Sequence, residues 1–266
     1  SRWGTIHTGA PLTPSLGPLL PSPGERKHAR TREIKLVEAL LEALGPFAHL
    51  DARGHPSFDY WAPLRWHGFE QTTHYTWRIG RGPTAEGVAA GFRDNIRGDI
   101  RKARKRGVAV SSATLEEFLE VHSHTTARAG LDRSAEASRQ ALARIDPAAA
   151  RRDARTIVAA RGADGQIHAA GYFVRDERSV YYLAGGSNSE LRSSGATSLL
   201  LSTAIEQAMD SGLAFDFEGS MLRPIERFFR AFGGTPTPYS IVRRTPSAAL
   251  RTERALKRAG RGLARR

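Results

Sequence analysis

Two carboxylates follow a short apolar run late in the chain. The run Phe215-Asp216-Phe217-Glu218 alternates like a β-strand, so both acids stand near the end of that strand. Open α/β sheets bind ligands at the carboxyl ends of their strands. A carboxylate there can orient an amine or accept its proton. Asp216 and Glu218 are therefore candidate catalytic residues, although Asp216 could instead cap the following turn and Glu218 could pair with an arginine.

Two tyrosines are candidate donors to a negatively charged reaction intermediate. Tyr182 and Tyr239 each lie in a strand-like run. A phenolic hydroxyl can donate a hydrogen bond to the oxyanion that forms when a carbonyl is attacked. Buried tyrosines whose hydroxyl is satisfied by a structural partner are commoner, so both interpretations stay open.

A glycine-containing turn connects a strand-like run to a helical one. The segment Arg192-Ser193-Ser194-Gly195-Ala196-Thr197 resembles the pyrophosphate loop of GNAT-type acyltransferases, in which backbone N–H groups at a helix N-terminus hold phosphates. The resemblance implies that Arg192, Ser194 and Gly195 bind substrate. A glycine at a helix start also serves ordinary backbone geometry, so the motif has a purely structural interpretation as well.

Positive charge is concentrated in two helical segments. The chain has 40 Lys and Arg against 27 Asp and Glu, a net charge of +13, which favours a phosphate-rich partner. Spacings of three and four residues place the arginines of each segment on one helix face. These candidate RNA-binding residues are Arg93, Arg97, Arg101 and Arg104 in the first segment and Arg251, Arg254, Arg258 and Arg261 in the second. Acids for pairing are scarce nearby, so contact with RNA phosphates is favoured over a merely solvated face.

Composition excludes several kinds of chemistry. The 266 residues include no cysteine, which excludes disulfides, thiolate metal sites and cysteine nucleophiles. The nine histidines show no spacing typical of a metal site, and Gly-x-Ser-x-Gly and Walker motifs are absent. No apolar run reaches the roughly 18 residues of a membrane span, so we expect a soluble, cytoplasmic protein.

Periodicity and turn signals predict an α/β chain that begins with an irregular, proline-rich stretch of about 24 residues. Helices are predicted at 31–44, 88–106, 114–129, 134–151, 194–211, 223–231 and near the C-terminus. Strands are predicted at 72–79, 108–110, 156–160, 167–174, 179–184, 213–217 and 239–243. The three strands between 156 and 184 are expected to form an antiparallel meander.

A longer stretch, about residues 55 to 243, resembles the Fem-type acyltransferases. These tandem-GNAT proteins move amino acids from aminoacyl-tRNA onto amines of peptidoglycan precursors or peptide natural products. The resemblance rests on residues 66–69, 73–77, 96–103, 215–221 and 225–234.

The resemblance also assigns site residues. Those implied to bind substrate are Trp66, Phe69, Tyr75 and Phe228. Fem-type proteins commonly carry a lysine, assigned to charge stabilisation, where this chain has Phe229. The adjacent Arg230 is the candidate replacement cation, although on a helix it points about 100° away.

The expected fold is therefore α/β, with tandem GNAT-like lobes and mixed, largely antiparallel sheets. We expect a partial first lobe at 1–110, its earliest elements missing, a second lobe at 111–244 and a basic helix at 245–266. The expected function is aminoacyl transfer from aminoacyl-tRNA to a primary amine of a peptide-like acceptor, without metal or redox cofactor. Two alternatives remain, an acyl-CoA-dependent N-acyltransferase and a non-catalytic RNA-binding module on the same fold.

Overall fold

The computed structural model describes residues 4–18, 20, 28–128, 132–219 and 221–263. The strands are β1 (Ile6–Thr8), β2 (His49–Arg53), β3 (Glu70–Ile79), β4 (Ala109–Ser112), β5 (Arg155–Arg161), β6 (Ile167–Arg175), β7 (Ser179–Ser187), β8 (Ala214–Asp216) and β9 (Thr235–Arg244). The helices are α1 (Ala29–Leu44), α2 (Ala62–Trp66), α3 (Ala85–Ala90), α4 (Asp94–Lys105), α5 (Leu115–Arg128), α6 (Asp132–Arg151), α7 (Ala196–Asp210), α8 (Arg223–Arg230) and α9 (Ala248–Leu263). The predicted α/β class is confirmed.

The chain forms two compact units. Unit 1 consists of Ser1–His74 and Pro238–Arg266, and unit 2 consists of Tyr75–Thr237. These limits do not coincide with the predicted boundaries at residues 110 and 244. Local composition cannot reveal such a division, because unit 1 is assembled from the two ends of the chain.

Unit 2 contains a mixed, largely antiparallel sheet. Strands β4, β5, β6 and β7 pair antiparallel in sequence order, which confirms the predicted meander, and β8 pairs parallel to β7 and antiparallel to β3. Helices α5 and α7 pack against strands of this sheet, and α4 packs against α7. The core is dominated by fully buried aliphatic and aromatic side chains, including Ile96, Leu201, Ile205, Phe215 and Phe217.

The predicted helix at 88–106 is wrong in one respect, because the structure contains two helices there. Helix α3 ends at Ala90, and Arg93 adopts an extended backbone before α4 begins. Between them Phe92 is buried against Phe232, with ring centroids 5.2 Å apart, and the Arg93 N–H donates to the carbonyl of Ala231. Burial of the aromatic ring and this tertiary hydrogen bond replace a helical turn that local propensity favours.

Helix α5 begins at the predicted capping box. The Glu117 carboxylate accepts from the Thr114 N–H at 2.8 Å, and the Thr114 hydroxyl accepts from the Glu117 N–H at 3.2 Å. Both backbone donors are satisfied reciprocally, which is the reason this sequence pattern starts helices.

In unit 1, strand β2 pairs parallel to β1 and antiparallel to β9. A smaller core of Val37, Leu50, Phe58, Leu64, Phe69 and Val242 lies in this unit. Strands β1 and β2 were not predicted, because they are short and lack a clear alternation. Helix α2 was not among the predicted helices, and Pro63 occupies its first turn, where a helix tolerates proline.

Candidate active site and cationic surfaces

The two candidate carboxylates lie where strands β7 and β8 stop pairing. The last paired residues are Tyr181 and Asp216, and β7 continues beyond them to Ser187. Strand β8 ends at Asp216, with Glu218 two residues later. A parallel pair of strands that separates at its carboxyl end leaves space for a ligand, as in other open α/β sheets.

Asp216 is buried and held by strand β3. Its Oδ1 accepts from the Thr76 hydroxyl at 2.5 Å and from the Glu218 N–H at 2.8 Å, and its Oδ2 lies 3.1 Å from Arg78 Nε. Thr76 and Arg78 are two residues apart on one strand, so their side chains share a face. A carboxylate with these three partners is suited to fixing the Glu218 backbone, and the contacts favour a positioning role for Asp216 over proton transfer.

Glu218 adopts an unusual backbone conformation beside this network. Its φ is +60°, in the left-handed region, and the following Gly219 has a φ of +62°. A Cβ at Gly219 would lie 2.4 Å from the carbonyl oxygen of Tyr75, so only glycine fits. Left-handed non-glycine residues persist where the surroundings fix them, often at functional sites. Glu218 is half-buried and directly follows the point of strand separation, which makes it the better candidate for proton transfer.

We expect Asp216→Asn to lower the free energy of unfolding by about 2 to 3 kcal/mol, because it leaves Arg78 without its acid in a largely buried network. The Asp216 side chain is 4% exposed and that of Arg78 is 26% exposed, so water screens the pair only in part. Urea unfolding followed by circular dichroism measures the loss. The control Asp210→Asn changes an exposed acid at the end of α7 and should shift stability by less than about 0.5 kcal/mol. A loss of that same small size for Asp216→Asn would contradict the structural role.

An aromatic cluster lies on one side of the candidate site. Phe229 is buried, with its ring centroid 5.1 Å from that of Phe217 and 6.1 Å from that of Tyr182. Phe228 packs edge-on against Phe232. Burial raises the pKa of Tyr182 to about 12, so its hydroxyl keeps its proton near neutral pH and can donate a hydrogen bond.

The position that carries lysine in Fem-type proteins therefore belongs to the core of this chain. Phe229 contributes an apolar ring, and the neighbouring Arg230 places its Nε 3.0 Å from Glu226 Oε1. The charge of Arg230 is thus compensated on its own helix. A role for Arg230 in catalysis stays a prediction.

The remaining candidate residues of the site are spread over both units. Tyr239 is buried in unit 1, with the Arg53 guanidinium 5.0 Å above its ring. Phe69 is fully buried in the core of the same unit, which gives it a packing role, whereas Trp66 is exposed there. Tyr75 is exposed on β3, in unit 2.

The predicted phosphate loop is closed by a neighbouring helix. Gly195 has a φ of +82°, and a Cβ there would lie 2.2 Å from the carbonyl oxygen of Asp99 in α4. The Ser198 hydroxyl donates to the Asp99 carboxylate at 3.2 Å, and the Ala196 N–H donates to the Ser194 hydroxyl. The protein's own acid therefore lies at the N-terminus of α7, where buried Ser194 and Gly195 leave little access for an external phosphate. Arg192 is exposed beside this turn.

The arginine stripe of α4 has the predicted phasing. The side chains of Arg93, Arg97, Arg101 and Arg104 are exposed, whereas Phe92, Ile96, Ile100 and Ala103 are buried. Arg97 pairs with Asp94. Helix α4 thus buries one face and presents a largely unneutralised cationic face to solvent.

The second group of arginines has a different setting. Arg251 and Arg254 of α9 line a cavity in unit 1. The side chains of Arg258 and Arg261 lie outside the described residues.

Within the described ranges no cluster of three or more His, Asp or Glu side chains could hold a metal ion. Nor does any helix in those ranges combine the length and hydropathy needed to cross a membrane.

Comparison with known proteins identifies the family. The profile of the acetyltransferase (GNAT) domain matches residues 90–230, more than half of the chain. The chain therefore belongs to the GNAT acetyltransferase family, and the match lies within unit 2. A sequence search among curated proteins gave no match.

Solved structures share this fold at low sequence identity. FemX has a TM-score of 0.60 at 14% identity, over 84% of this chain and 78% of FemX. The C-terminal domain of a putative lysylphosphatidylglycerol synthetase from Agrobacterium fabrum has a TM-score of 0.55 at 13% identity, over 84% of this chain and 77% of that domain. L-PGS from Bacillus licheniformis has a TM-score of 0.52 at 11% identity, over 85% of this chain and 76% of its own. The predicted resemblance to Fem-type GNAT proteins is confirmed at the level of the fold.

The residues that organise the site were not among those predicted from the sequence. Thr76, Arg78 and Asp99 hold Asp216 and the start of α7. The polar pair on alternate positions of β3 was a usable signal for Thr76 and Arg78. No local pattern marks Asp99, because its partner Ser198 is 99 residues away.

Proposed function

We propose that this protein transfers an aminoacyl group from aminoacyl-tRNA to a primary amine of a peptide-like acceptor. The observation that carries the proposal is the exposed arginine stripe of α4, which lies in the same unit as the candidate carboxylates. Such a face is suited to RNA phosphates. The fold shared with FemX and with the putative lysylphosphatidylglycerol synthetase domain supports the same class of reaction.

In the proposed reaction the acceptor amine attacks the ester carbonyl that links the amino acid to the tRNA. Glu218 accepts the proton that the amine loses as the C–N bond forms. The Tyr182 hydroxyl, which its raised pKa keeps protonated, donates to the tetrahedral oxyanion. The C–O bond to the ribose then breaks, and the leaving oxygen takes the proton back from Glu218. This sequence of steps uses no metal or redox cofactor.

The first alternative is an acyl-CoA-dependent N-acyltransferase, which membership of the GNAT family favours. The contacts of Asp99 at the start of α7 weigh against it, because the phosphate loop is buried and already has an acid beside it. The second alternative is a non-catalytic RNA-binding module. Burial of Phe229 at the position of the family's lysine favours that alternative.

A thermal-shift comparison distinguishes the donors. We expect deacylated tRNA to raise the melting temperature in a saturable way and acetyl-CoA to leave it unchanged, because only a ligand that binds the folded state stabilises it. Coenzyme A without the acyl group is the control for its nucleotide part. Saturable stabilisation by acetyl-CoA, with none by tRNA, would replace the proposal by the acyl-CoA alternative.

A further inference from the structure

A cavity of about 570 Å³ lies beside the start of α9, entirely within unit 1. Its volume is within the range of small-molecule sites. The charged residues that line it are Glu70, Arg243, Arg244, Arg251 and Arg254. Among the described lining residues, cations thus outnumber acids four to one. Their mutual repulsion is unfavourable unless an anion binds between them.

Two of the arginines are fixed by polar partners on strand β2. Arg243 donates through Nε and Nη2 to Asp51 Oδ2, at 2.8 and 2.6 Å. Arg254 places Nη1 2.8 Å from Nε2 of His49, which is 1% exposed. The same Nη1 lies 3.2 Å from His49 Nδ1, and Nδ1 lies 2.7 Å from the Thr245 hydroxyl oxygen, so the imidazole contacts both groups.

Burial and the charge of Arg254 both lower the pKa of His49. The imidazole is therefore neutral near pH 7. Because His49 adds no charge of its own, the arginine is oriented without being neutralised.

Among the described residues, no acid pairs with the other two arginines. Arg251 Nη1 donates to the backbone carbonyls of Thr245 and Pro246, at 2.8 and 2.9 Å. The Arg244 guanidinium lies 5.7 and 5.8 Å from the ring centroids of Phe47 and Phe69. Carbonyls and aromatic faces hold a guanidinium in place and leave its positive charge uncompensated. Each arginine has five N–H donors, so these contacts leave donors for a ligand.

We infer that this arginine cavity binds a dianionic phosphate, as a phosphate monoester or a diphosphate. Oriented guanidinium groups pair with phosphate oxygens in a bidentate manner, which a lysine-rich surface cannot reproduce. A concave site admits a chain end or a small molecule more readily than an internal phosphodiester of a duplex. The source of the phosphate is therefore either the 5′-phosphorylated end of an RNA or a small phosphorylated ligand. The inference does not depend on the transfer reaction proposed above.

The test uses the full chain and sodium pyrophosphate as the probe, with ionic strength held constant by chloride. We expect saturable binding by titration calorimetry, and at least a tenfold weaker affinity for Arg251→Gln/Arg254→Gln. The matched control Arg93→Gln/Arg101→Gln removes the same charge from the exposed stripe of α4 and should keep the affinity of the unmodified chain. Circular dichroism of each variant verifies folding. If the double variant fails to fold, Arg251→Gln alone replaces it, since that exposed side chain contacts only carbonyls among the described residues.

A second arm identifies the source of the phosphate. It compares one RNA hairpin carrying either a 5′-phosphate or a 5′-hydroxyl. A preference for the phosphorylated end that disappears in Arg251→Gln/Arg254→Gln supports an RNA end, and pyrophosphate binding without that preference supports a small phosphorylated ligand. Equal weakening in both double variants, or no pyrophosphate binding together with no preference between the two hairpins, would overturn the inference. Neither result would affect aminoacyl transfer, so failure here is distinguishable from failure of the proposed function.

Discussion

Replacing Glu218 by glutamine is expected to lower the turnover of aminoacyl transfer by about 10²- to 10⁴-fold, the usual contribution of a general base. Glutamine has nearly the same volume and can adopt the same backbone, but it cannot accept the proton of the attacking amine. The N–H of residue 218 still donates to Asp216 in the variant, so the turn should persist. Turnover at saturating donor, measured by amide formation, gives the effect on the chemical step.

The control for this substitution is Glu177→Gln, which removes an exposed acid from the turn between β6 and β7. It changes the net charge equally and precedes the stretch in which β7 and β8 pair, whereas Glu218 follows the end of that pairing. Its turnover and RNA affinity should match those of the unmodified protein. The turnover of Glu218→Gln could also stay within about threefold of that of the unmodified protein, a change well below the effect of a lost general base. In that case Glu218 is a structural residue and the proposed proton transfer is wrong.

Removing the arginine stripe is expected to change RNA affinity and its dependence on salt. Each phosphate contact contributes roughly 0.7 to 0.9 to the slope of log affinity against log salt concentration. Changing Arg93, Arg97 and Arg101 to alanine should therefore reduce that slope by about 2, with the smallest share from Arg97, which already pairs with Asp94. Filter binding of tRNA over a series of salt concentrations measures both quantities.

The matched control changes Arg144, Arg151 and Arg152, three exposed arginines of α6 and the turn that follows it. This triple variant loses the same charge and should leave the slope unchanged. Turnover at saturating donor should survive in both variants, because the proposed role of the stripe is to contact RNA and not to transfer a proton. Identical slopes for the α4 and α6 variants would reduce the stripe to a solvated surface.

The hydrophobic periodicity of the sequence was sufficient to predict helices and strands whose contacts are local in the sequence. Helix α1, the capping box of α5 and the meander of β5, β6 and β7 follow from it, because their hydrogen bonds and apolar faces connect residues near in sequence. It failed between α3 and α4, where burial of Phe92 against Phe232 ends a helix that propensity would continue. Tertiary packing of this kind overrides local preference.

The site was predictable only in part for the same reason. The position of Asp216 and Glu218 after a strand is visible in the sequence, but the hydrogen bond from Thr76 to Asp216 spans 140 residues and depends on the register of β3 with β8. The left-handed backbone at Glu218 also has no sequence signature, since glutamate rarely adopts it. Closure of the α7 N-terminus by Asp99 likewise depends on how two helices pack.

The most direct test of the proposed function is transfer of labelled amino acids from a charged tRNA pool to an acceptor bearing a primary amine. We expect label in a product that survives the mild base that hydrolyses aminoacyl esters, because an amide has formed, and we expect Glu218→Gln to form this product at least about 100-fold more slowly. Labelled acetyl-CoA supplied in place of the tRNA should give no product. Amide formation from acetyl-CoA, with none from aminoacyl-tRNA, would contradict the account.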